Sequence, residues 1–221
     1  SSGVEAYLLD IDFVDPYHGV TVGADSTVLF TTDGGATWQK APLGTSPDLA
    51  EEINLFAAVM MDDRKACIAG DRGRIFTSED GGKRWVESKS PLYDEERMEG
   101  RILYSMAYDS GILYAVGIDG VLVTSTDQGK TWKERATGFP GPELYCIDVV
   151  SGVGLAAGSG GHILGTSDGG STWRVMGVPE EIKRSWLSGI DLQETATGGV
   201  RGLLVGQDGT VGRLENGALS W

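Results

Sequence analysis

The sequence has very few of the residues that most often crosslink proteins or bind metals. Its 221 residues include two cysteines, Cys67 and Cys146, and two histidines, His18 and His162. Each histidine lies beside a glycine turn in a different part of the chain, without the spacing that is typical of metal ligands. No glycine-rich loop opens a helix to hold a phosphate group. The sequence therefore predicts no metal site and no cofactor.

Long apolar runs and excess positive charge are also missing. No stretch approaches the roughly 18 consecutive apolar residues that indicate a transmembrane helix, so we expect a soluble domain that does not insert into a membrane. The 18 Lys and Arg residues are outnumbered by 32 Asp and Glu residues, which gives a formal net charge of −14. This charge opposes binding to nucleic acid and to anionic lipid surfaces, and it suits basic partners.

A repeated phrase is the main feature that the sequence does contain. TTDGGATW at residues 31–38 returns as TSEDGGKRW, TSTDQGKTW and GTSDGGSTW, and a worn fifth copy, LENGALSW, occupies residues 214–221. The copies recur at a nearly fixed spacing along the chain. Such a recurrence is typical of a repeat architecture, in which one small unit is copied and stacked. The acidic, glycine and tryptophan positions of the four clear copies are Asp33, Gly35, Trp38, Asp80, Gly82, Trp85, Asp127, Gly129, Trp132, Asp168, Gly170 and Trp173.

Short apolar segments surround each phrase and predict four strands per repeat. Three runs rich in β-branched residues precede the phrase, and a more polar run such as TWQKA follows it. Evenly spaced strands with glycine turns predict an all-β fold, a five-bladed β-propeller of four-stranded antiparallel blades. The repeats form a single domain and span residues 7–48, 49–97, 98–140, 141–183 and 184–221.

The two ends of the chain suggest how such a ring closes. Repeat five stops before an outermost strand is evident, and residues 1–6 have no other assignment. We therefore expect residues 1–6 to pair with the last blade and to complete it, which protects two open strand edges.

The repeated phrase has a structural explanation. An Asp, Ser or Thr at the start of a tight hairpin accepts backbone N–H groups across the turn, and the glycines that follow adopt positive φ. The tryptophan then returns into the sheet and buries a large ring. Because four carboxylates in equivalent places of four blades cannot meet at one site, we expect these residues to stabilise the fold and to take no part in catalysis.

The phrase resembles the Asp-box, or bacterial neuraminidase repeat. The fuller first repeat, DIDFVDPYHGVTVGADSTVLFTTDGGATW, is similar to the photosystem II stability/assembly factor-like branch of Asp-box propellers. The positions that match this branch are Asp10, Ile11, Phe13, Asp15, His18, Gly19, Val22 and Gly23. Propellers of that family usually have seven blades, whereas this sequence supplies five repeats. The resemblance implies an exported protein, in the periplasm, a lumen or outside the cell, that helps to assemble or stabilise a larger protein complex.

The loops between blades are the candidates for a partner surface. In a four-stranded blade, the loops that join one blade to the next share a face with the loops that join second to third strands. The blade-to-blade loops carry arginine and aromatic residues, the types that anchor protein interfaces. We therefore predict contact with a protein partner, such as a subunit of a membrane-associated complex, through Tyr93, Arg97, Arg101, Phe139, Arg184 and Trp186.

The main alternative is a carbohydrate-active or carbohydrate-binding propeller. A sialidase-like site needs three arginines, for which Arg97, Arg101 and Arg184 are candidates, and a tyrosine beside a glutamate, for which Tyr93 is the candidate. A glycoside hydrolase of the xyloglucanase type needs two carboxylates across a cleft, which could come from the first-strand residues Asp10, Asp12, Asp148 and Asp191. The Arg-Ile-Pro phrase expected in sialidases is absent, so we predict no catalytic residues.

The two cysteines are predicted to be buried and reduced. The repeat alignment places Cys67 on a second strand of repeat two and Cys146 on a first strand of repeat four. At two blades apart, they exceed the roughly 7 Å limit between Cα atoms for a disulfide. We therefore expect both to behave as small apolar side chains.

Overall fold

The computed structural model describes residues 2–44, 52–94, 96–137, 141–215 and 217–221. Over these residues the protein consists of strands and short 3-10 turns. The strands form five four-stranded antiparallel sheets and one two-stranded hairpin, and in each four-stranded sheet the strand order follows the sequence order. Each four-stranded sheet lies within one of the five sequence repeats.

The first two sheets use eight strands. In sheet 1, strands β1 to β4 span Leu8–Phe13, Gly19–Gly23, Val28–Thr31 and Gln39–Lys40. In sheet 2, β5 to β8 span Leu55–Met60, Ala66–Gly70, Ile75–Ser78 and Val86–Glu87. A two-stranded hairpin then joins β9, Tyr93–Asp94, to β10, Glu99–Gly100.

The remaining three sheets repeat the same order. In sheet 3, β11 to β14 span Leu103–Asp109, Ile112–Gly117, Leu122–Ser125 and Lys133–Glu134. In sheet 4, β15 to β18 span Leu144–Val150, Val153–Gly158, Ile163–Thr166 and Arg174–Val175. In sheet 5, β19 to β22 span Leu187–Glu194, Val200–Gly206, Val211–Glu215 and Ala218–Ser220.

A short 3-10 turn joins the second strand to the third in four of the sheets. These turns span Asp71–Gly73, Ile118–Gly120, Ser159–Gly161 and Gln207–Gly209. The middle residue of each turn is left-handed, with φ between 57° and 64°. Asp119, Asp208 and Gly160 suit this conformation because short polar side chains and glycine enter it most easily. The turn reverses the chain in three residues, which places the second and third strands side by side.

The chain divides into two compact units. The first contains the described residues up to 106 together with 125–133, and the second contains residues 107–124 and the described residues from 134 onward. The core of the first unit lies between sheets 1 and 2 and includes Val20, Val22, Val28, Phe30, Leu55, Ile68, Phe76 and Trp85. The second unit has one core that includes Tyr114, Leu122, Ile147 and Trp173, and another that includes Leu155, Ile163, Leu187 and Leu204.

The fifth sheet corrects one sequence-based expectation. Ala218–Ser220 pair with β21 and form the outermost strand that repeat five was expected to lack. The premise that residues 1–6 must fill a missing edge is therefore wrong, and the described residues 2–6 lie outside the strands. Closure of the five repeats into a ring stays a prediction.

Both cysteines lie where the repeat alignment predicted, and both are free and buried. Cys67 is on β6, and burial raises the pKa of its thiol far above the ordinary value. Cys146 is on β15, and burial raises the pKa of its thiol to about 12. Because the thiolate is the reactive form, burial disfavours the reactive state of both residues.

A search of the described residues for helices long and apolar enough to cross a membrane finds none.

Candidate protein-binding surface

The linker between sheets 2 and 3 folds into a small hairpin, made of β9 and β10, that carries three of the predicted partner residues. The side chain of Asp94 holds its turn, because Oδ1 accepts the backbone N–H groups of Glu96 at 3.0 Å and Arg97 at 3.1 Å. The N–H of Arg101 donates to the carbonyl oxygen of Leu92 at 3.3 Å and closes the base of the hairpin. Three main-chain and side-chain contacts thus fix a segment that the sequence indicated only as an irregular loop.

Two glycines seat this hairpin against the turn between the second and third strands of sheet 2. A Cβ atom on Gly100 would lie 1.8 Å from the carbonyl oxygen of Arg72, and one on Gly73 would lie 2.6 Å from Cβ of Leu92. Such separations are too short for any side chain, so both positions require glycine. Within the first compact unit, the blade-to-blade loop and the second-to-third-strand loop therefore lie side by side.

The ring of Tyr93 packs against a buried arginine that forms an ion pair. Arg74 is 1% exposed, and its guanidinium group donates to both carboxylate oxygens of Glu87, from Nε at 2.6 Å and from the second terminal nitrogen at 2.7 Å. The centre of the guanidinium lies 5.4 Å from the ring centroids of both Phe76 and Tyr93. This cation–π contact fixes the ring of Tyr93, because the arginine beneath it is itself held by two charge-assisted hydrogen bonds.

The hairpin borders an open groove of about 660 Å³. The residues lining it are Arg72, Leu92, Asp94, Arg97, Met98, Glu99, Gly100 and Arg101. Three arginines and two acidic residues are among the lining residues, so the lining carries a small excess of positive charge in a protein whose net charge is −14. Arg97 makes only a long contact with Asp94, 3.8 Å between Nε and Oδ2, and its side chain is 76% exposed. The arginine is therefore available to a ligand at little cost in existing contacts.

The other predicted partner residues lie elsewhere in the chain. Arg184 and Trp186 belong to the second compact unit, and both are exposed. The ring centroid of Trp186 lies 6.4 Å from that of Tyr145. Ser185, which lies between Arg184 and Trp186 in the sequence, accepts the N–H of Gly161 with its carbonyl oxygen at 2.8 Å. Phe139 lies outside the described residues. The structure thus brings Arg97 and Arg101 into one groove, with Tyr93 on the hairpin that borders it, and places Arg184 and Trp186 on a second loop.

A second cavity was missed by the sequence reasoning. It measures about 500 Å³, and sheets 4 and 5 form its walls. Its apolar lining comes from Val153, Leu155, Met176, Val200 and Leu214, with Arg174 at the edge. The signal that could have found it is the worn fifth Asp-box, because this repeat has no tryptophan at the fifth position after Glu215.

The Asp-box carboxylates are fully engaged inside their own turns. In the first box, Thr31 Oγ1 donates to Asp33 Oδ1 at 2.8 Å and accepts the N–H of Gly35 at 3.0 Å. The carboxylate of Asp33 also accepts the N–H of Thr37 at 2.9 Å and its hydroxyl at 2.6 Å. The same contacts recur around Asp127 and Asp168. Around Asp80, the N–H of Arg84 makes the backbone contact that Thr37 makes in the first box, and the N–H of Lys83 is a further donor, whereas Arg84 has no hydroxyl group to donate.

The box tryptophans bond within their own hairpins, and Trp85 also packs between neighbouring sheets. The indole N–H groups of Trp85 and Trp132 donate to the carbonyl oxygens of Gly82 and Gly129, each at 2.9 Å. Trp85 also belongs to the core between sheets 1 and 2.

A tyrosine extends this connection in the second compact unit. Tyr114 of sheet 3 donates its hydroxyl hydrogen to the carbonyl oxygen of Gly169 at 2.9 Å, and its ring packs edge-on against Trp173 of the fourth box. The ring of Tyr114 also limits the space at Gly170. The first box has a related contact, because Trp38 packs edge-on against Phe13 of the same sheet.

These hydrogen bonds predict an acid-sensitive stability. The hydrogen bonds from the threonine hydroxyl and backbone N–H groups lower the pKa values of Asp33 and Asp168 to about 2. Desolvation acts to raise the pKa of Asp127, but its hydrogen bonds together outweigh this effect and lower the pKa to about 2 as well. A carboxyl group whose pKa is lower in the folded than in the unfolded state stabilises the fold above its unfolded value and loses that contribution as the pH falls. We therefore expect the free energy of unfolding to fall between about pH 4 and pH 2 as these three groups take up protons.

Urea unfolding at a series of pH values tests this expectation. A variant in which Thr37, Thr131 and Thr172 are replaced by valine removes hydroxyl donors from the three boxes, so its loss of stability between pH 4 and pH 2 should be smaller than that of the unchanged protein. Asp10 and Asp148 contribute with the opposite sign because their pKa values are raised, but they are present in both proteins. Equal pH slopes in the two proteins would contradict the assignment.

The first-strand carboxylates considered for a glycoside hydrolase bond to the backbone of the next sheet. Asp10 Oδ2 accepts the N–H of Ala58 at 2.8 Å, and Asp12 Oδ2 accepts the N–H of Met60 at 2.7 Å. Asp148 repeats the pattern further along the chain, where its Oδ2 accepts the N–H of Leu192 at 2.7 Å.

Burial gives two of these carboxyl groups an altered acidity. Desolvation raises the pKa values of Asp10 and Asp148, and the backbone hydrogen bonds only partly offset it. Asp191 lies at the surface, where Gln193 Nε2 donates to its Oδ2 at 3.2 Å. Three of the four candidate acids are thus structural contacts between sheets.

The two histidines lie in different surroundings. His18 Nδ1 lies 2.8 Å from Asp15 Oδ2, and this contact is the main reason that the pKa of Asp15 lies below its ordinary value. Burial lowers the pKa of His162. A search of the described residues finds no group of three or more His, Cys, Asp or Glu side chains that could hold a metal ion.

Comparison with known proteins gives two family matches. The family described as "Photosynthesis system II assembly factor YCF48" matches residues 2–100, and the "BNR/Asp-box repeat" matches residues 123–134. The Photosystem II assembly lipoprotein Ycf48 of Synechococcus sp. (strain CC9902) is 35% identical over 77 residues, which cover 34% of this chain and 22% of that protein. The protein of the same name from Prochlorococcus marinus is 57% identical over 35 residues, which cover 16% of this chain and 10% of that protein.

Solved structures show the same kind of fold. "YCF48 bound to D1 peptide" matches with a TM-score of 0.50 and 18% identity, over 96% of this chain and 94% of that one. The RRP9 WD40 repeats, a β-propeller class, match with a TM-score of 0.75 and 12% identity over 99% and 64%. An ancestral GH74 enzyme matches with a TM-score of 0.68 and 15% identity over 100% and 31%. At these identities the likeness establishes the fold alone.

Five four-stranded sheets, each turned by an Asp-box or its worn copy, define an all-β repeat protein with propeller-like relatives. The resemblance in the sequence is confirmed. The chain is a BNR/Asp-box repeat protein, and its residues 2–100 match the family of the Ycf48 photosystem II assembly factor.

Proposed function

We propose that this protein is a non-catalytic scaffold that holds an extended segment of a photosystem II subunit while the complex is assembled. The groove beside Tyr93, Arg97 and Arg101 carries the proposal. The match of residues 2–100 to the Ycf48 family supports the assembly role, and the similar solved structure, YCF48 bound to a D1 peptide, supports a peptide as the ligand. The five sheets act as the rigid blades of a propeller scaffold, and the loops present the binding groups.

The chemistry of the groove favours a peptide that combines carboxylates with apolar side chains. Exposed guanidinium groups such as Arg97 bind carboxylates with two parallel hydrogen bonds. Met98 is 37% exposed, and an unbranched thioether adapts to varied apolar partners. Tyr93, held on Arg74, offers an aromatic face at little entropic cost because its ring is already fixed. Arg184 and Trp186, on a loop of the second compact unit, are proposed as further contacts with a protein partner.

The names of the curated relatives support a proposal for the compartment. The curated relatives are named as lipoproteins. We propose that this protein is likewise exported, to a periplasm or lumen, where it contacts a membrane-associated complex through its loops and not by inserting into the bilayer.

A carbohydrate-active propeller is the rival function, and the GH74 likeness is the observation behind it. The carboxylates of Asp10, Asp12 and Asp148 already accept backbone N–H groups of the neighbouring sheet. A general acid or base needs access to its substrate, so the rival would require other groups. Hydrolysis of a xyloglucan or sialoside substrate by the purified protein would favour it over the scaffold.

Reversal of one charge in the groove is expected to abolish most of the binding. We expect Arg97→Glu to weaken binding to the best of a set of overlapping D1 peptides by at least tenfold, because the change removes a guanidinium and adds a repelling carboxylate. Fluorescence anisotropy of labelled peptides measures the effect. The dissociation constants should be compared at one fixed salt concentration.

Lys133→Glu is the matched control for this experiment. It makes the same change in net charge at an exposed position on β14, outside the residues that line the groove. We expect it to change the dissociation constant less than twofold. Absence of binding by every D1 peptide, or an equal loss in the two variants, would contradict the proposed site.

A further inference from the structure

The cavity between sheets 4 and 5 has a floor of buried apolar side chains. We call it the sheet 4–5 cavity, and its volume is about 500 Å³. Leu155, Val200 and Leu214 form the floor and are at most 5% exposed. Gly165 and Met176 line one side, and both are half-buried. All of these residues belong to the second compact unit.

The sequence repeat identifies the equivalent place in other sheets. Leu155 lies three residues before the glycine that ends its second strand, as do Val20 in sheet 1 and Tyr114 in sheet 3. Val20 belongs to the core that also contains Trp85, the box tryptophan of sheet 2. Tyr114 packs edge-on against Trp173, the box tryptophan of sheet 4, with ring centroids 6.3 Å apart. In both pairs of sheets, a tryptophan of the following sheet therefore packs at this position.

The side of the sheet 4–5 cavity is less well covered than its equivalent in sheet 1. Gly165 and Met176 correspond to Phe30 and Ala41, counted from the same glycine. Phe30 and Ala41 are 6% and 1% exposed and belong to the core with Trp85. Glycine at 165 also removes the ring that sheet 1 contributes here. The cavity thus combines a missing cover with a missing side chain.

The tight hairpin of sheet 5 explains the missing cover. In sheet 4, Gly165 pairs with Arg174, and residues 166–173 form the Asp-box between them. In sheet 5, Glu215 pairs directly with Ala218, which leaves no room for a loop of that length. A shorter turn cannot extend over the neighbouring sheet as the other boxes do.

The last tryptophan of the chain, Trp221, lies in a different place. After Ala218, β22 runs along β21 until Ser220 lies opposite Arg213, which leads the chain away from the cavity. The ring of Trp221 lies against Gly212, where a Cβ atom would be 3.1 Å from Cζ3. Trp221 is not among the residues that line the cavity. The sheet 4–5 cavity therefore has the walls of a tryptophan site, and no tryptophan of the described residues occupies it.

We propose that the sheet 4–5 cavity binds a tryptophan side chain of a partner protein. The indole ring packs on Leu155 and Leu214 and against Met176, as the box tryptophans pack between other sheets. Arg174 is exposed at the edge of the cavity, where its guanidinium group can pair with a carboxylate beside the tryptophan. The carboxylate of Asp168, which also lines the cavity, is already bonded within its own turn.

The ligand is therefore a peptide segment in which a tryptophan stands next to an acidic residue. Tryptophan is among the residues that most often anchor a partner in a pocket. The site lies in the second compact unit and shares no residue with the groove beside the β9–β10 hairpin. The proposal does not depend on the function proposed above.

Titration of the full chain with a tryptophan peptide tests the proposal. The probe is the acetylated peptide Gly-Glu-Trp-Glu-Gly, and its matched control is Gly-Glu-Ala-Glu-Gly. Two-dimensional NMR of the isotope-labelled protein locates the contact. We expect the amide signals of Leu155, Val200 and Leu214 to shift with the tryptophan peptide, and the alanine peptide to bind more weakly by about tenfold or more.

Gly165→Phe is expected to close the cavity. It restores the side chain that sheet 1 has at Phe30, and the atom nearest to the new Cβ is Sδ of Met176 at 2.8 Å, in a flexible side chain that can move. We expect it to weaken binding of the tryptophan peptide by about tenfold or more, because the ring takes the place of the ligand. Melting curves verify that the variant is folded.

Gly177→Phe is the matched control for this variant. It adds the same side chain outside the lining residues, at a position where no atom lies within 4 Å of the new Cβ. We expect it to leave the affinity nearly unchanged. Arg174→Gln tests the second contact, because it should remove the preference for the glutamate peptide over Gly-Gln-Trp-Gln-Gly.

Three results would overturn the proposal. They are no binding of the tryptophan peptide at millimolar concentration, equal binding of the alanine peptide, and equal affinities in Gly165→Phe and Gly177→Phe. The Arg97→Glu variant separates this site from the groove of the first compact unit. It should bind the tryptophan peptide as the unchanged protein does, and a loss of binding there would place the peptide in the other groove.

Discussion

Replacement of Trp85 by alanine is expected to lower the free energy of unfolding by about 3–5 kcal/mol, the usual cost of removing a large buried aromatic side chain. The ring is 2% exposed and belongs to the core between sheets 1 and 2, and its indole N–H donates to the carbonyl oxygen of Gly82. The substitution therefore opens a cavity and leaves a buried carbonyl group without its donor. Urea unfolding at neutral pH measures the change.

Trp186→Ala is the matched control for this substitution. It removes the same side chain at a position that is 60% exposed. Surface substitutions usually change stability by no more than about 0.5 kcal/mol. If Trp85→Ala cost no more than Trp186→Ala, the Asp-box tryptophan would not be a structural contact between sheets.

Removal of the carboxylate of Glu87 is also expected to lower the free energy of unfolding by about 3–5 kcal/mol, because it leaves a buried charge unpaired. Arg74 is almost fully buried and makes both of its carboxylate contacts to Glu87. Glu87→Ala should also reduce peptide binding, since Arg74 supports the ring of Tyr93. Urea unfolding and the peptide titration described above measure the two effects on one protein.

An exposed ion pair in the same compact unit provides the control. Glu79 lies 3.0 Å from Lys130, and both side chains are more than half exposed. Glu79→Ala is expected to cost about 1 kcal/mol or less, as is usual for surface pairs. A double variant with methionine at Arg74 and Glu87 should recover much of the stability lost in Glu87→Ala, because replacing a buried pair by apolar groups is often neutral. A Glu87→Ala variant as stable as Glu79→Ala would contradict this role of the pair.

The sheets could be predicted from the sequence because their signals are local. Each second strand ends in a glycine, at positions such as Gly23 and Gly70, and each Asp-box reverses the chain within a few residues. Turn chemistry and strand alternation are read over short windows. The outer strand Ala218–Ser220 was missed, because it is only three residues long and follows the most degenerate box.

The contacts that join sheets could not be predicted in the same way. Asp10 and Ala58 are 48 residues apart, and Tyr114 and Gly169 are 55 apart. The sequence alone does not distinguish a first-strand carboxylate that acts as a catalytic acid from one that accepts a hydrogen bond, because it does not show the partner. The side chain that faces Tyr93 is Arg74, which the sequence presents only as a charged residue before an apolar strand.

The groove that we propose for binding was only partly predictable for a related reason. Arg97 and Arg101 were identified from residue type and from their place in a long linker. The two-residue strands Tyr93–Asp94 and Glu99–Gly100 are too short to produce a periodic pattern. The contribution of Arg72 depends on the close approach that Gly100 permits.

The free energy of unfolding and the affinity for D1 peptides should change independently of each other in the variants Arg97→Glu and Asp127→Asn. Asp127 holds its turn through Ser125 and Thr131 and lies outside the residues that line the groove. We expect Asp127→Asn to lower the free energy of unfolding while the folded protein keeps its affinity for D1 peptides, and Arg97→Glu to do the reverse. Loss of peptide affinity in a fully folded Asp127→Asn protein would instead place the Asp-box in the binding site.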